Sequence, residues 1–104
     1  MESDLPVLVQ FQADWCPYCR ATQPALLALY QARKEALRVF KVDTDHDPEL
    51  AVRYQVDSIP TFVLLHHGKI IAQSAKVLKG QALAAWVDKG LNVPILSEGL
   101  PFQE

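Results

Sequence analysis

Apolar residues first alternate over Val7 to Ala13, where Val7, Val9, Phe11 and Ala13 share one face and Leu8, Gln10 and Gln12 the other. A period of two predicts a strand. Two amides sit on a face that should be apolar if both sides of the strand are covered. Beyond Pro17 the period lengthens, and Leu26, Leu29, Tyr30 and Arg33 fall at helical spacing, predicting a helix to about Lys34. Pro17 suits its first position, and Pro24 should kink it. Leu37 to Val42 reads as a second strand. Asp47-Pro48-Glu49 supplies an N-cap, a first-turn proline and a first-turn acid, opening a helix to about Tyr54. Thr61 to His66 and Lys69 to Lys76 predict a hairpin about His67-Gly68. Lys79 to Leu91 predicts a closing helix, with Leu83, Trp86 and Val87 on one face. The order is βαβαββα, an α/β pattern in which alternating strands pair in parallel and the hairpin adds an antiparallel edge. Residues 93–104 contain Pro94 and Pro101 and read as a tail or linker, leaving residues 1–92 as the domain.

Composition narrows the function classes. Half of the 104 residues are apolar, enough for one core. Ten basic and twelve acidic side chains leave a formal charge of −2, which gives no electrostatic reason for a nucleic-acid or membrane-surface partner. No apolar stretch approaches the roughly 20 residues that span a bilayer. Met1-Glu2-Ser3-Asp4 is acidic and lacks the basic start of a secretory signal, so the expected location is the cytoplasm, where thiols are kept reduced.

The only two cysteines, Cys16 and Cys19, flank Pro17-Tyr18 at the predicted strand-to-helix junction. Three positions apart on a helix, they lie on one face and are close enough to join. Closing so short a loop removes only about 2 kcal/mol of unfolded-chain entropy, which makes a weak staple and a good reagent. A zinc site would need two more ligands, and the three histidines offer no suitable spacing. Unreactive core thiols remain an alternative, against which the adjacent Trp15 and Pro17 suggest exposure. Cys-x-x-Cys beside a βαβ pattern is a redox signature. The reactive species is a thiolate, and Cys16, before or capping the helix, would meet unpaired backbone N–H groups and the positive dipole end. Cys19, one turn in, should be more buried. Cys16 is thus the expected nucleophile and Cys19 the resolving thiol. Helix-end effects of about 0.3–1 kcal/mol, up to about 2, could lower a thiol pKa by one unit but not three.

An ordered set of further segments surrounds this motif: Val7-Leu8-Val9-Gln10-Phe11, Ala13-Asp14-Trp15-Cys16, Pro24, Lys41-Val42-Asp43, Ile59-Pro60-Thr61, Gly68 and Lys79-Gly80-Gln81. In order and spacing they resemble the thioredoxin family over about residues 7–91. The resemblance implies a thioredoxin fold and dithiol–disulfide exchange with protein substrates, by a monomer with no bound cofactor beyond its own redox-active disulfide. It implies a cis peptide before Pro60, facing the cysteines, and an NADPH-linked flavoprotein thioredoxin reductase as electron donor.

Several positions depart from the family pattern. Pro17-Tyr18 resembles the glutaredoxin motif, whereas thioredoxins usually carry Gly-Pro; glutaredoxins lie roughly 40–70 mV more oxidising, which predicts a weaker reductant. Gln10 replaces the buried aspartate that thioredoxins keep beneath the resolving cysteine, and Lys41 then lacks its counter-charge. Gln10 either slows deprotonation of Cys19 or merely fills a cavity. Only six residues precede Val7, so four strands and an open sheet edge are expected, unless the tail or a partner covers it. Ala75 stands where the family usually has a substrate-contacting glycine. Trp15, Tyr18, Ile59 and Pro60 form an expected apolar rim for extended peptides, with backbone pairing near Ile59.

A glutathione-dependent activity stays open through Pro17-Tyr18, although Ala75-Lys76-Val77-Leu78-Lys79-Gly80 lacks the Gly-Gly-acid pattern of glutaredoxins. A binding module with the same fold and little turnover is the non-enzyme alternative. Asp43-x-Asp45-x-Asp47 begins like a calcium loop, but Pro48 and Tyr54 occupy its required Gly and Glu. His66 and His67 should point to opposite faces of a strand end, a poor chelate.

Overall fold

The computed structural model describes residues 4–99, with side chains described as far as Leu91. It contains β1 (Val7–Gln12), α1 (Pro17–Ala21), α2 (Gln23–Ala32), β2 (Arg38–Asp43), α3 (Pro48–Arg53), β3 (Thr61–His66), β4 (Lys69–Ser74) and α4 (Gln81–Gly99). The four strands form one mixed sheet in the order β2-β1-β3-β4. β1 runs parallel to β2 and antiparallel to β3, which pairs antiparallel with β4. This is the expected four-stranded thioredoxin fold.

β1 explains why both of its faces must be apolar. Val7, Val9 and Phe11 pack with Ala51, Val63 and Leu65 beneath α3. Leu8, one residue out of phase, packs with Leu26, Leu29, Phe62, Leu64, Leu83 and Val87 beneath α2 and α4. Helices on both sides leave a central strand no wet face. Gln10 lies on the second face and is fully buried, the exception the alternation predicts.

Four departures from the expected elements have local causes. The helix expected from Pro17 to Lys34 is two helices, broken at Thr22 rather than kinked at Pro24. Pro24 falls in the first turn of α2, where its missing N–H is harmless and its ring does not oppose a preceding helical carbonyl. Next, β4 stops at Ser74, so Ala75 and Lys76 lie beyond the sheet. The closing helix starts at Gln81, after Gly80 at φ +56°, rather than at Lys79, and continues past the expected end at Leu91 through Pro94 to Gly99. Proline removes one ladder hydrogen bond and does not by itself end a helix. Residues 100–104 of the expected tail lie outside the described residues. Last, the His66 and His67 rings stack, with centroids 4.1 Å apart, instead of diverging. His67 has left the strand at φ 54°, and with Gly68 at φ 77° it forms the paired positive-φ turn that suits a tight hairpin.

Among the described residues β2 is paired on one side only, and Phe40 is 40 % exposed there. β4, at the other end of the order, is likewise paired only with β3, so the sheet has two edges, and Arg38 and Lys41 lie along the β2 one.

Candidate redox site

The β1–α1 junction places the cysteines. Cys16 is the N-cap of α1, with extended backbone at φ −84°, ψ 110°, and its Sγ accepts the Cys19 backbone N–H at 3.2 Å. Its own N–H donates to the Ala13 carbonyl at 3.1 Å, and its carbonyl accepts the Arg20 N–H at 3.1 Å. Cys16 and Cys19 are joined as a disulfide with Cα atoms 5.2 Å apart. The reagent and the N3 orphan donor of the helix thus face each other, as an N-cap requires.

Both cysteines are nearly sealed, Cys16 at 2 % and Cys19 at 1 % exposure. The expected contrast between an exposed first and a buried second thiol is therefore absent in the disulfide form. Ala13 and Ile59 close over the pair, while Trp15 and Tyr18 on either side are 64 % and 66 % exposed. The Ile59–Pro60 peptide is cis, as the resemblance implied. Pro60 is buried, and Ile59 packs against the cysteine cluster.

Beside Cys16 lies a groove lined by Trp15, Thr44, Ala51, Val56, Asp57, Ser58 and Ile59. Its volume of about 480 Å³ is in the range of small-molecule and side-chain pockets. Trp15 is held in place by Asp45, whose Oδ2 accepts the indole N–H at 2.8 Å. Asp43 in turn accepts the Asp45 backbone N–H at 2.8 Å. Neither Ala75, exposed past β4, nor Tyr18 lines this groove. Sequence reading missed Asp45 and Asp57. Asp43-x-Asp45-x-Asp47 flagged the loop but not its contact with a tryptophan thirty residues away. Asp47 does cap α3, accepting the Leu50 N–H.

Behind Cys19 the surroundings are polar and neutral. The Gln10 amide N–H donates to Thr22 Oγ1, and that hydroxyl donates to the Cys19 carbonyl at 2.7 Å. Gln23 Nε2 donates to Gln10 Oε1 at 2.9 Å. Lys41 Nζ, exposed, donates to Gln23 Oε1 at 3.3 Å. Lys41 thus meets an amide oxygen where a carboxylate was the missing partner, and Gln23 is the residue that sequence reading left out. The Gln10 amide is satisfied through both its oxygen and its nitrogen, as burial demands.

Comparison with known proteins accords with this geometry. The thioredoxin family model matches residues 1–89. Thioredoxin Y2 of Arabidopsis thaliana, a chloroplastic protein, is 36 % identical over 88 % of this chain and 54 % of its own length, so the chain spans about half of that relative. Thioredoxin 1 of Synechococcus elongatus is 35 % identical over 88 % of this chain and 85 % of its own. Among solved structures, the germline-specific thioredoxin Deadhead of Drosophila melanogaster aligns with a TM-score of 0.78 and 30 % identity, covering 84 % of this chain and 82 % of its own. The thioredoxin of Fasciola hepatica aligns with a TM-score of 0.76 and 30 % identity over 85 % and 83 %. With a cysteine pair at disulfide distance, a fold of the same topology and a family match over most of its length, the chain belongs to the thioredoxin family of thiol–disulfide oxidoreductases.

Proposed function

We propose that the chain exchanges its Cys16–Cys19 dithiol with disulfides of protein substrates, Cys16 attacking and Cys19 resolving. In the reducing direction the Cys16 thiolate attacks one sulfur of the substrate disulfide. A mixed disulfide forms, and the other substrate sulfur leaves as a thiolate. Cys19 then loses its proton and attacks Cys16 Sγ, forming the Cys16–Cys19 bond and expelling the second substrate thiolate. Two electrons pass to the substrate, and solvent protons complete its two thiols.

The observation that carries this reading is the Cys19 N–H aimed at Cys16 Sγ at 3.2 Å. A donor already placed on the sulfur favours its anion over its neutral thiol. Trp15, Tyr18, Ile59 and Pro60 supply the apolar surroundings for an extended substrate segment, and Pro17, Tyr18, Gln10 and Lys41 tune the couple. Ala75 takes a place at the edge of the recognition surface. The donor is an NADPH-linked thioredoxin reductase rather than glutathione, and the protein works as a monomer in a reducing compartment such as the cytoplasm. Among the described residues no helix is long and apolar enough to cross a membrane.

Iodoacetamide labelling of the pre-reduced protein tests the assignment. Cys16 should label faster at neutral pH than a cysteine in an unstructured peptide, and Cys19 more slowly. Equal rates for Cys16 and the peptide would remove the nucleophile. A redox titration adds a check on Pro17-Tyr18, whose expected potential lies above about −270 mV, towards the glutaredoxin range.

A further inference from the structure

Resting on that redox reading, we propose that the groove between Trp15 and Ile59 selects disulfides whose flanking segment carries lysine or arginine. Ile59 packs against the cysteine cluster and also lines the groove, so a chain bound at Cys16 continues into it. Its lining mixes Trp15, Ala51, Val56 and Ile59 with the hydroxyls of Thr44 and Ser58, and the charge there comes from carboxylates brought by two separate loops. Asp45 arrives on the indole N–H of Trp15, and Asp57 stands in the lining itself. The Asp57 side chain is exposed and has no ion-pair or hydrogen-bond partner among the described residues.

The charge around the groove is not an echo of the whole chain. Residues 44–60 carry Asp45, Asp47, Glu49 and Asp57 against Arg53 alone, a balance of −3 where all 104 residues give −2. The rest of the molecule is slightly basic, and the nearby Arg20 guanidinium is engaged with the Asp14 carbonyl at 2.7 Å. Trp15 adds a second reason to expect a cation. Trp15 is 64 % exposed, so an ammonium or guanidinium group could reach its ring while Asp45 holds the indole N–H. A cleft lined by one sign of charge raises the encounter rate of the opposite sign, by about tenfold at the low end of such effects.

Three synthetic peptides with one identical intramolecular disulfide, flanked by lysines, by glutamines or by glutamates, provide the test. Each is mixed with the pre-reduced protein, and the second-order rate of its reduction is measured at about 0.02 M and about 1 M salt. The lysine peptide should react about tenfold faster than the glutamate peptide at low salt, with the glutamine peptide between them. In high salt, where the screening length falls to about 3 Å, the three rates should converge. Asp57→Asn should reduce the lysine-to-glutamate ratio by at least twofold at low salt, and a double substitution with Asp45→Asn should reduce it further. Equal rates for the three peptides would overturn the charge selection and leave the redox reading standing. A ratio that both substitutions leave unchanged would overturn the groove's part in it. Failure to reduce even the glutamine peptide would overturn the redox reading and this proposal with it.

Discussion

The two sulfurs of one disulfide sit in unlike surroundings. On the Cys16 side are a capped helix start, an exposed tryptophan, Ile59 and an acidic groove. On the Cys19 side are three uncharged side chains, Gln10, Thr22 and Gln23, which lead outward from the buried Gln10 through half-buried Gln23 to Lys41. The contrast assigns the work. The first side can meet a foreign disulfide and favour an anion, whereas the second fixes geometry and offers no ionisable group that could take a proton from Cys19. Only two residues, Pro17 and Tyr18, separate the cysteines, but different parts of the fold furnish their neighbours. The loops after β2 and α3 serve Cys16, and β1 with the start of α2 serves Cys19.

The largest effect expected of this contrast is its complete asymmetry under substitution. Cys16→Ser should reduce turnover of an insulin disulfide by at least about 10³-fold, since the nucleophile is gone. Cys19→Ser should still attack and should accumulate as a mixed disulfide, visible by mass spectrometry. Equal trapping by both variants would erase the distinction.

Gln10→Asp sharpens the other half. A carboxylate in place of the amide would sit where it could accept the Cys19 proton, so turnover should rise several-fold and acquire a new pH dependence between pH 6 and 9. An unchanged profile would mean that the amide only fills space. Gln10→Leu asks what the network contributes to stability. It leaves a buried Thr22 hydroxyl and the Gln23 amide short of a partner, and should cost about 1–3 kcal/mol in urea unfolding.

The smallest expected effect concerns the helix behind Cys19. Arg33 at the end of α2 grips Asp88 of α4 through two hydrogen bonds of 2.6 and 3.1 Å. The Arg33 hydrogen bond holds the Asp88 carboxyl below its usual range, and the same contact raises Arg33. A depressed carboxylate stabilises the fold above the unfolded value of 3.8 and loses that contribution as pH falls through the lower, folded value. With the Asp88 side chain 51 % exposed, Asp88→Asn should cost no more than about 1 kcal/mol at neutral pH and flatten the acid limb of stability below about pH 4.

What sequence could disclose here was local. The alternation of Val7–Phe11, the Asp47-Pro48-Glu49 start of α3 and the His67-Gly68 turn each act over a few residues, and each element appears where those signals place it. Cys16 as N-cap belongs to the same class. The contacts that distinguish the two sides of the disulfide join distant segments, Trp15 to Asp45 and Lys41 to Gln23, and no periodicity encodes such meetings. Thr22 shows the intermediate case. Pro24 announced a disturbance, but the position of the break depends on a hydroxyl that bonds backward to Cys19 and accepts from Gln10. Sealing of Cys16 was equally hidden, because its lid comes from Ile59, forty-three positions later.

The unpaired rim of β2 governs how these molecules tolerate crowding. A second chain zippering onto that strand would have to bring its own backbone against Arg38 and Lys41, stripping water from two cations that have no carboxylate partner among the described residues. Exchanging Arg38 for threonine should therefore make the protein precipitate more readily on concentration, whereas the same exchange at Lys41 should also disturb the Gln23 contact behind Cys19.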